Sequence, residues 1–192
     1  MGDKKPNLHR DCEKCYKELG LYGILLMVFC SFGDYTMNHV LGCAHGCKYP
    51  CYAYLMKKRF GQIDSYEQWL EPYLVGNTLE LLDNEIPRLK DKIQSVQLCF
   101  TTDPFMYDYP EVCNMSMAAI RKLNENNIKC TVLTKGILPI ELADLSDENE
   151  YGITLISLNE EYPKKMEPNA ASYKDRIAAL KALHNRGSKT CG

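Results

Sequence analysis

Cys43 to Cys51 reads CAHGCKYPC and sets three thiols, Cys43, Cys47 and Cys51, four residues apart. Three of the chain's ten cysteines fall within these nine residues, and no acidic residue interrupts them. Thiolates so spaced can converge on one soft metal centre. A closed structural zinc site takes four protein ligands, so the triplet is one short. It suits a [4Fe–4S] cluster with one iron left open to bind something else. Gly42 and Gly46 give the backbone the freedom that a short wrapping loop needs. Two other readings stand beside this one. One is a zinc ion completed by His45 or a distant cysteine, and the other is disulfides, which an even number of cysteines permits.

The chain on either side of the loop alternates strand and helix patterns. Tyr35 to Leu41 reads as the first core strand and ends at the loop. Leu79, Leu82, Ile86 and Leu89 put one apolar face on a helix from Asn77 to Gln94. Asn77 with Glu80 resembles a capping box, and Pro87 is expected to kink or divide the helix. Ser95 to Phe100 is a short strand, followed by the polar turn Thr101-Thr102-Asp103-Pro104. A helix from Pro110 to Asn126, a strand from Ile128 to Leu133, a short helix around Pro139 to Leu145 and a strand from Tyr151 to Leu158 come next. The last helix, Ala170 to Arg186, ends at Gly187. Strand and helix repeat at roughly 25 to 35 residues, which argues for an α/β fold with a parallel sheet. Ligands of such sheets bind at the carboxyl ends of the strands. The cysteine loop, Thr101 to Pro104, Thr134-Lys135 and Ser157 to Asn159 all fall at those ends.

The stretch DYTMNHVLGCAHGCKYPCYAY, Asp34 to Tyr54, resembles the cluster loop of radical S-adenosylmethionine (SAM) enzymes, in their spore photoproduct lyase-like branch. QLCFTTDPF, VLTKG, ITLISLNEEYPKKMEPNAAS and RIAALKALHNRG resemble the later motifs of that branch, in its order. The family places two residues between its second and third cysteines; here there are three, Lys48, Tyr49 and Pro50. The resemblance covers most of residues 34 to 192 and leaves 1 to 33 as an N-terminal extension. It implies a partial (β/α) barrel of the radical SAM type. It also implies that Cys43, Cys47 and Cys51 hold a [4Fe–4S] cluster and that Tyr49 covers it. The open iron would chelate S-adenosyl-L-methionine and reduce it to release a 5′-deoxyadenosyl radical. Thr102 would lie near the methionyl group, Lys135 would pair with its carboxylate, and Ser157 would bond the adenosine portion. Glu167 and Arg176 match the family's Glu-Pro and following arginine, and read equally as surface charges. A ferredoxin or flavodoxin is the implied electron donor.

The branch's name implies repair of a thymine dimer, with nucleic acid as the partner. That lyase carries a cysteine just before its hydroxyl-hydroxyl-aspartate turn. Phe100 stands there in this chain. Cys99, one residue earlier, is expected to face the other way because strands alternate. The reading is therefore a radical SAM enzyme of unknown substrate, with DNA photoproduct lyase as the lesser alternative. The rival from another class is a non-catalytic iron–sulfur or zinc-binding module.

Composition fits one globular domain: 192 residues, 45% hydrophobic, 25% charged, net charge −2. Nothing in that charge demands a polyanionic partner. The longest apolar run, Leu21 to Cys30, is about half of a membrane span. No membrane partner is expected, and the cytoplasm, where thiols stay reduced, is the expected location. His9, Cys12 and Cys15 form half of a metal site by spacing. Ser188 to Cys191 looks like the opening of another strand. Since related chains continue beyond it, this core domain is expected to be cut short at its carboxyl end and poorly soluble alone.

Overall fold

Alternation along the central strands decides which way the sheet faces. The computed structural model describes residues 27–29, 35–157, 159 and 161–191. In strand β5, Ser95–Leu98, Val96 and Leu98 are buried; in β6, Lys129–Thr134, Cys130, Val132 and Thr134 are. Period-two burial puts these on one face. Gln97, Thr131 and the exposed Leu133 lie on the other, where the Thr131 hydroxyl donates to Gln97 Oε1 at 2.8 Å.

The remaining strands are β1 (Met27–Phe29), β2 (Tyr35–Met37), β3 (Val40–Leu41), β4 (Tyr73–Leu74), β7 (Glu150–Ile153) and β8 (Lys189–Cys191). The large sheet has the order β1-β2-β5-β6-β7-β8. Its last five strands run parallel in sequence order, with Tyr35 against Val96, Ser95 against Lys129, Thr131 against Glu150 and Glu150 against Lys189. β1 joins β2 antiparallel at the edge, and β3 pairs with β4 in a separate two-stranded ribbon. The α/β, parallel-sheet expectation holds, and Ser188–Cys191 does open a further strand. Within the apolar run that begins at Leu21, Met27–Phe29 form a strand; the rest of that run, and His9, Cys12 and Cys15, lie outside the described residues.

The helices are α1 (Tyr52–Arg59), α2 (Tyr66–Trp69), α3 (Thr78–Leu89), α4 (Pro110–Glu125), α5 (Glu161–Met166) and α6 (Tyr173–Asn185), with a 3₁₀ turn at Ile140–Asp144. Leu82 and Ile86 of α3 and Ala119, Ile120 and Leu123 of α4 are buried against Val96, Leu98, Cys130 and Val132. Each fully buried leucine or isoleucine here contributes about 1.5–3 kcal/mol. None of the described helices is long and apolar enough to cross a membrane.

Four boundaries differ from expectation for identifiable reasons. The first core strand breaks after Met37. Asn38 Oδ1 accepts from the Thr101 amide and hydroxyl, and the His39 ring turns inward to Ser116 Oγ at 2.7 Å. The next strand stops at Leu98 because Cys99 adopts φ 50°, which no strand tolerates. β7 ends at Ile153, since the Ile156 and Ser157 amides donate to the Tyr173 hydroxyl instead of to a strand. At α3, Asn77 makes no side-chain cap bond; Thr78 Oγ1 donates to Val75 O at 2.6 Å, and the helix runs through Pro87 to Leu89 undivided.

Candidate functional site

The cysteine loop leaves β3 through Gly42, whose φ is 79°. A Cβ there would lie 2.9 Å from Glu71 O, so only glycine fits. Cys43 N then donates to Trp69 O at 2.8 Å. The far side of the loop is clamped by residues 166–169. Lys48 N donates to Met166 O at 2.9 Å, and Asn169 N and Nδ2 donate to His45 O at 3.2 Å and Ala44 O at 2.9 Å. Tyr66 OH donates to Cys47 O at 2.7 Å. Cys51 ends the loop as the N-terminal flanking residue of α1.

Two buried carboxylates sit against this loop. Asp103 receives His45 Nε2 at 2.8 Å, Thr134 Oγ1 at 2.6 Å, Lys135 N at 2.7 Å and Phe105 N at 2.9 Å. Burial alone would raise its pKa; His45 and these donors outweigh it and hold the carboxyl below its usual range. Glu167 receives Lys135 Nζ at 2.7 Å, Tyr49 OH at 2.7 Å and Arg176 Nη2 at 3.1 Å. Its pKa is lowered in the same way: burial opposes the charge, and Lys135, Tyr49 and Arg176 prevail. Glu167 and Arg176 are therefore not surface charges; they are 2% and 1% exposed.

A cavity of about 380 Å³ opens where these elements meet. Cys43, Cys47 and Cys51 all line it, with Thr102 and Lys135. Ser157 is not among its lining residues; the nearby strand end contributes Thr154 instead. Thr102 Oγ1 donates to Val40 O at 3.1 Å. Phe100 and Cys99 both line the cavity, because the left-handed turn at Cys99 removes the alternation that would have separated them. Cys99 Sγ lies 3.6 Å from His39 Nδ1, and burial pushes its thiol up to about 12. Sequence reasoning had His45 only as a possible zinc ligand, and it did not foresee the His45–Asp103 pair or Thr154 on the cavity wall. The Thr101–Pro104 turn was the one signal for Asp103, as an acid in a turn at a strand end.

The donor set fits an iron–sulfur cluster. All three thiols are free and partly buried. Burial raises the pKa of Cys43, as does Asp103; burial also raises Cys47, against the pull of Lys135. Metal binding would release the thiol protons. Among the described residues no three His, Cys, Asp or Glu side chains converge closely enough for a single ion. His45 Nδ1 is buried on the cavity wall and finds no hydrogen-bond partner among the described residues. A group bound in the cavity would supply one.

An uncharacterized protein of Methanocaldococcus jannaschii is 30% identical over 159 residues, covering 81% of this chain and 57% of its own. An uncharacterized protein of Acidianus two-tailed virus is 23% identical over 163 residues, covering 81% and 53%. Solved structures of spore photoproduct lyase share the fold. A double mutant with bound AdoMet and dinucleoside spore photoproduct has a TM-score of 0.63 at 16% identity, over 88% of this chain and 48% of that one. A single mutant reaches 0.67 at 15%, over 88% and 47%. The chain thus spans about half the length of the relatives it matches. The model of the radical SAM superfamily matches residues 37–192. Cysteine loop, parallel sheet and matched span point the same way, and this chain belongs to the radical SAM superfamily, whose members use a [4Fe–4S] cluster and S-adenosylmethionine.

Proposed function

We propose that this chain is the catalytic core of an enzyme that reductively cleaves S-adenosyl-L-methionine, with Cys43, Cys47 and Cys51 as the ligands of its [4Fe–4S] cluster. One observation carries the reading: the three thiols, Thr102 and Lys135 line a single cavity at the carboxyl ends of the strands. A cluster held by Cys43, Cys47 and Cys51 would supply the one-electron reduction that splits S-adenosylmethionine into methionine and a 5′-deoxyadenosyl radical. The protein's part is to bind, orient and exclude water. Lys135 offers the positive charge that the cofactor's carboxylate needs, and Thr102 offers a hydroxyl beside it. Leu133, Phe100 and Tyr52 supply apolar wall. Ser157 offers a hydroxyl for the adenosine portion, and Thr154, just after β7, lines the cavity. The electron comes from a small redox protein such as a ferredoxin or flavodoxin.

Anaerobic reconstitution with iron and sulfide tests the reading. A brown protein that forms 5′-deoxyadenosine from SAM under dithionite supports it, as does loss of the cluster absorbance in Cys43→Ala, Cys47→Ala and Cys51→Ala. A colourless, zinc-loaded protein would favour a non-catalytic metal-binding module. Thymine-dimer repair is not expected. Phe100 has no hydrogen atom to give as a thiol does, and Cys99, 3% exposed, turns its thiol towards His39. Formation of repaired thymine pairs from irradiated DNA would overturn that.

A further inference from the structure

Lys135 is a heavily committed cation of the site. Its backbone is fixed on both sides: the amide donates to Asp103 Oδ2 at 2.7 Å and the carbonyl accepts from Ala171 N at 3.1 Å. The following Gly136 is pressed against Phe105, where a Cβ would fall 1.6 Å from the carbonyl oxygen. The side chain therefore leaves β6 in one direction, into the cavity wall. An ammonium has three protons to donate. Here they meet three acceptors: Glu167 Oε1 at 2.7 Å, the Tyr49 hydroxyl oxygen, and Cys47 Sγ at 3.5 Å. Tyr49 donates a hydrogen bond to Glu167 Oε1 and lays its ring 4.7 Å from the ammonium. Tyr49 is the middle residue of the three-residue spacer between Cys47 and Cys51, so the longer spacing brings its hydroxyl into this knot. With Arg176 on Glu167 Oε2, the knot holds two cations and one carboxylate. One net positive charge is left beside Cys47.

We propose that Lys135, held in place by Glu167 and Tyr49, is a positioning residue of the metal centre: it donates a hydrogen bond to Cys47 Sγ and raises the reduction potential of a cluster bound there. This rests on the reading that Cys47 is a cluster ligand, and goes beyond the lysine's pairing with a cofactor carboxylate. Reduction adds negative charge that spreads onto the ligating sulfurs. A charged donor beside one sulfur stabilises the reduced form more than the oxidised form. Hydrogen bonds to ligating atoms are among the protein's means of setting such potentials. The effect falls on one thiolate of three, and it acts before any cofactor arrives.

The test is a redox titration of the reconstituted protein without SAM, followed by electron paramagnetic resonance. The proteins compared are the unaltered chain, Lys135→Arg, Lys135→Gln and Lys135→Met. The midpoint potential should stay highest in the unaltered chain and Lys135→Arg, fall in Lys135→Gln, and be most negative in Lys135→Met, at equal iron content. A lysine that only braces the loop would alter melting temperature or iron content without ordering the potentials. Full iron content in Lys135→Met with an unchanged midpoint would overturn the inference and leave the cluster assignment standing. If Lys135→Met does not fold, an unchanged midpoint in Lys135→Gln has the same force. An unaltered chain that takes up no iron and sulfide overturns the cluster assignment and this inference together.

Discussion

Asp103 is bonded by two backbone amides, a threonine hydroxyl and an imidazole; Glu167 is bonded only by side chains, a lysine, an arginine and a tyrosine. Both are buried, both are ionised in the fold, and both touch the cysteine loop. Their means differ. Most of Asp103's donors are fixed once the strands align, so this side of the site is rigid with the sheet. Glu167's donors are long side chains that lose rotamer freedom to meet it. That side gains its order from the arrival of α5 and α6, and from charge. One flank is thus set by backbone geometry and the other by an ion cluster.

The contrast can be broken at several strengths. Gly136→Ala strikes the backbone side hardest, because its Cβ would overlap Phe105 O. A loss beyond about 4–5 kcal/mol is expected, with no cooperative unfolding left by circular dichroism. A variant melting like the parent would show that this flank yields. Next comes Glu167→Ala, which leaves the buried Arg176 and the half-buried Lys135 without their counter-charge. The expected cost is about 3–5 kcal/mol in urea unfolding, and a cost under about 1 kcal/mol would mean the ion cluster is solvated and marginal.

Asp103→Asn keeps the shape but turns one acceptor oxygen into a donor, facing groups that also donate. It should cost about 2–3 kcal/mol. Because the Asp103 carboxyl is held below its usual range, its stabilisation is present above about pH 4 and lost as pH falls through the folded value. The variant should lack that part of the acid sensitivity.

His39 lies on the same flank, with Nε2 on Ser116, whose hydroxyl donates to Pro104 O. Burial depresses it from 6.5 to about 3, so the fold needs it neutral while the unfolded chain takes a proton below pH 6.5. Stability should be full above that pH and fall on acidification by about 1.4 kcal/mol per unit. His39→Gln should flatten urea-unfolding midpoints between pH 6 and pH 5 by roughly that slope. Tyr49→Phe is the gentlest probe. It removes one donor from Glu167 and one acceptor from Lys135, and should cost about 0.5–1.5 kcal/mol; no change in the urea midpoint would place Tyr49 outside the cluster's energetics.

The same contrast explains what could be read from the chain alone. The parallel strands and the two long helices announced themselves through periods of two and 3.6, which burial imposes on residue type. The cysteines were legible because they are local in sequence, and Lys135 because it follows a strand. Glu167 and Arg176 were not, since charge ordinarily marks surface and their burial is bought by partners as far away as Tyr49. The Cys99 turn was hidden too, for a non-glycine residue with positive φ leaves no mark on hydrophobic pattern. The early end of β7 was hidden because the Tyr173 hydroxyl, not the local sequence, sets it. Two-residue strands such as β3 and β4 are shorter than any period can reveal.

Synthesis takes these parts in a fixed order. The parallel strands join the sheet in the sequence in which they leave the ribosome, each beside the one before. The cysteine loop appears early, but the clamp that closes on it lies 118 residues downstream, the span from Tyr49 to Glu167. At about 5–20 residues per second the nascent loop stays unclamped for about 6 to 24 seconds. During that interval three neighbouring thiols are open to metal, oxidant or carrier, and the last clamp residues decide when that access ends.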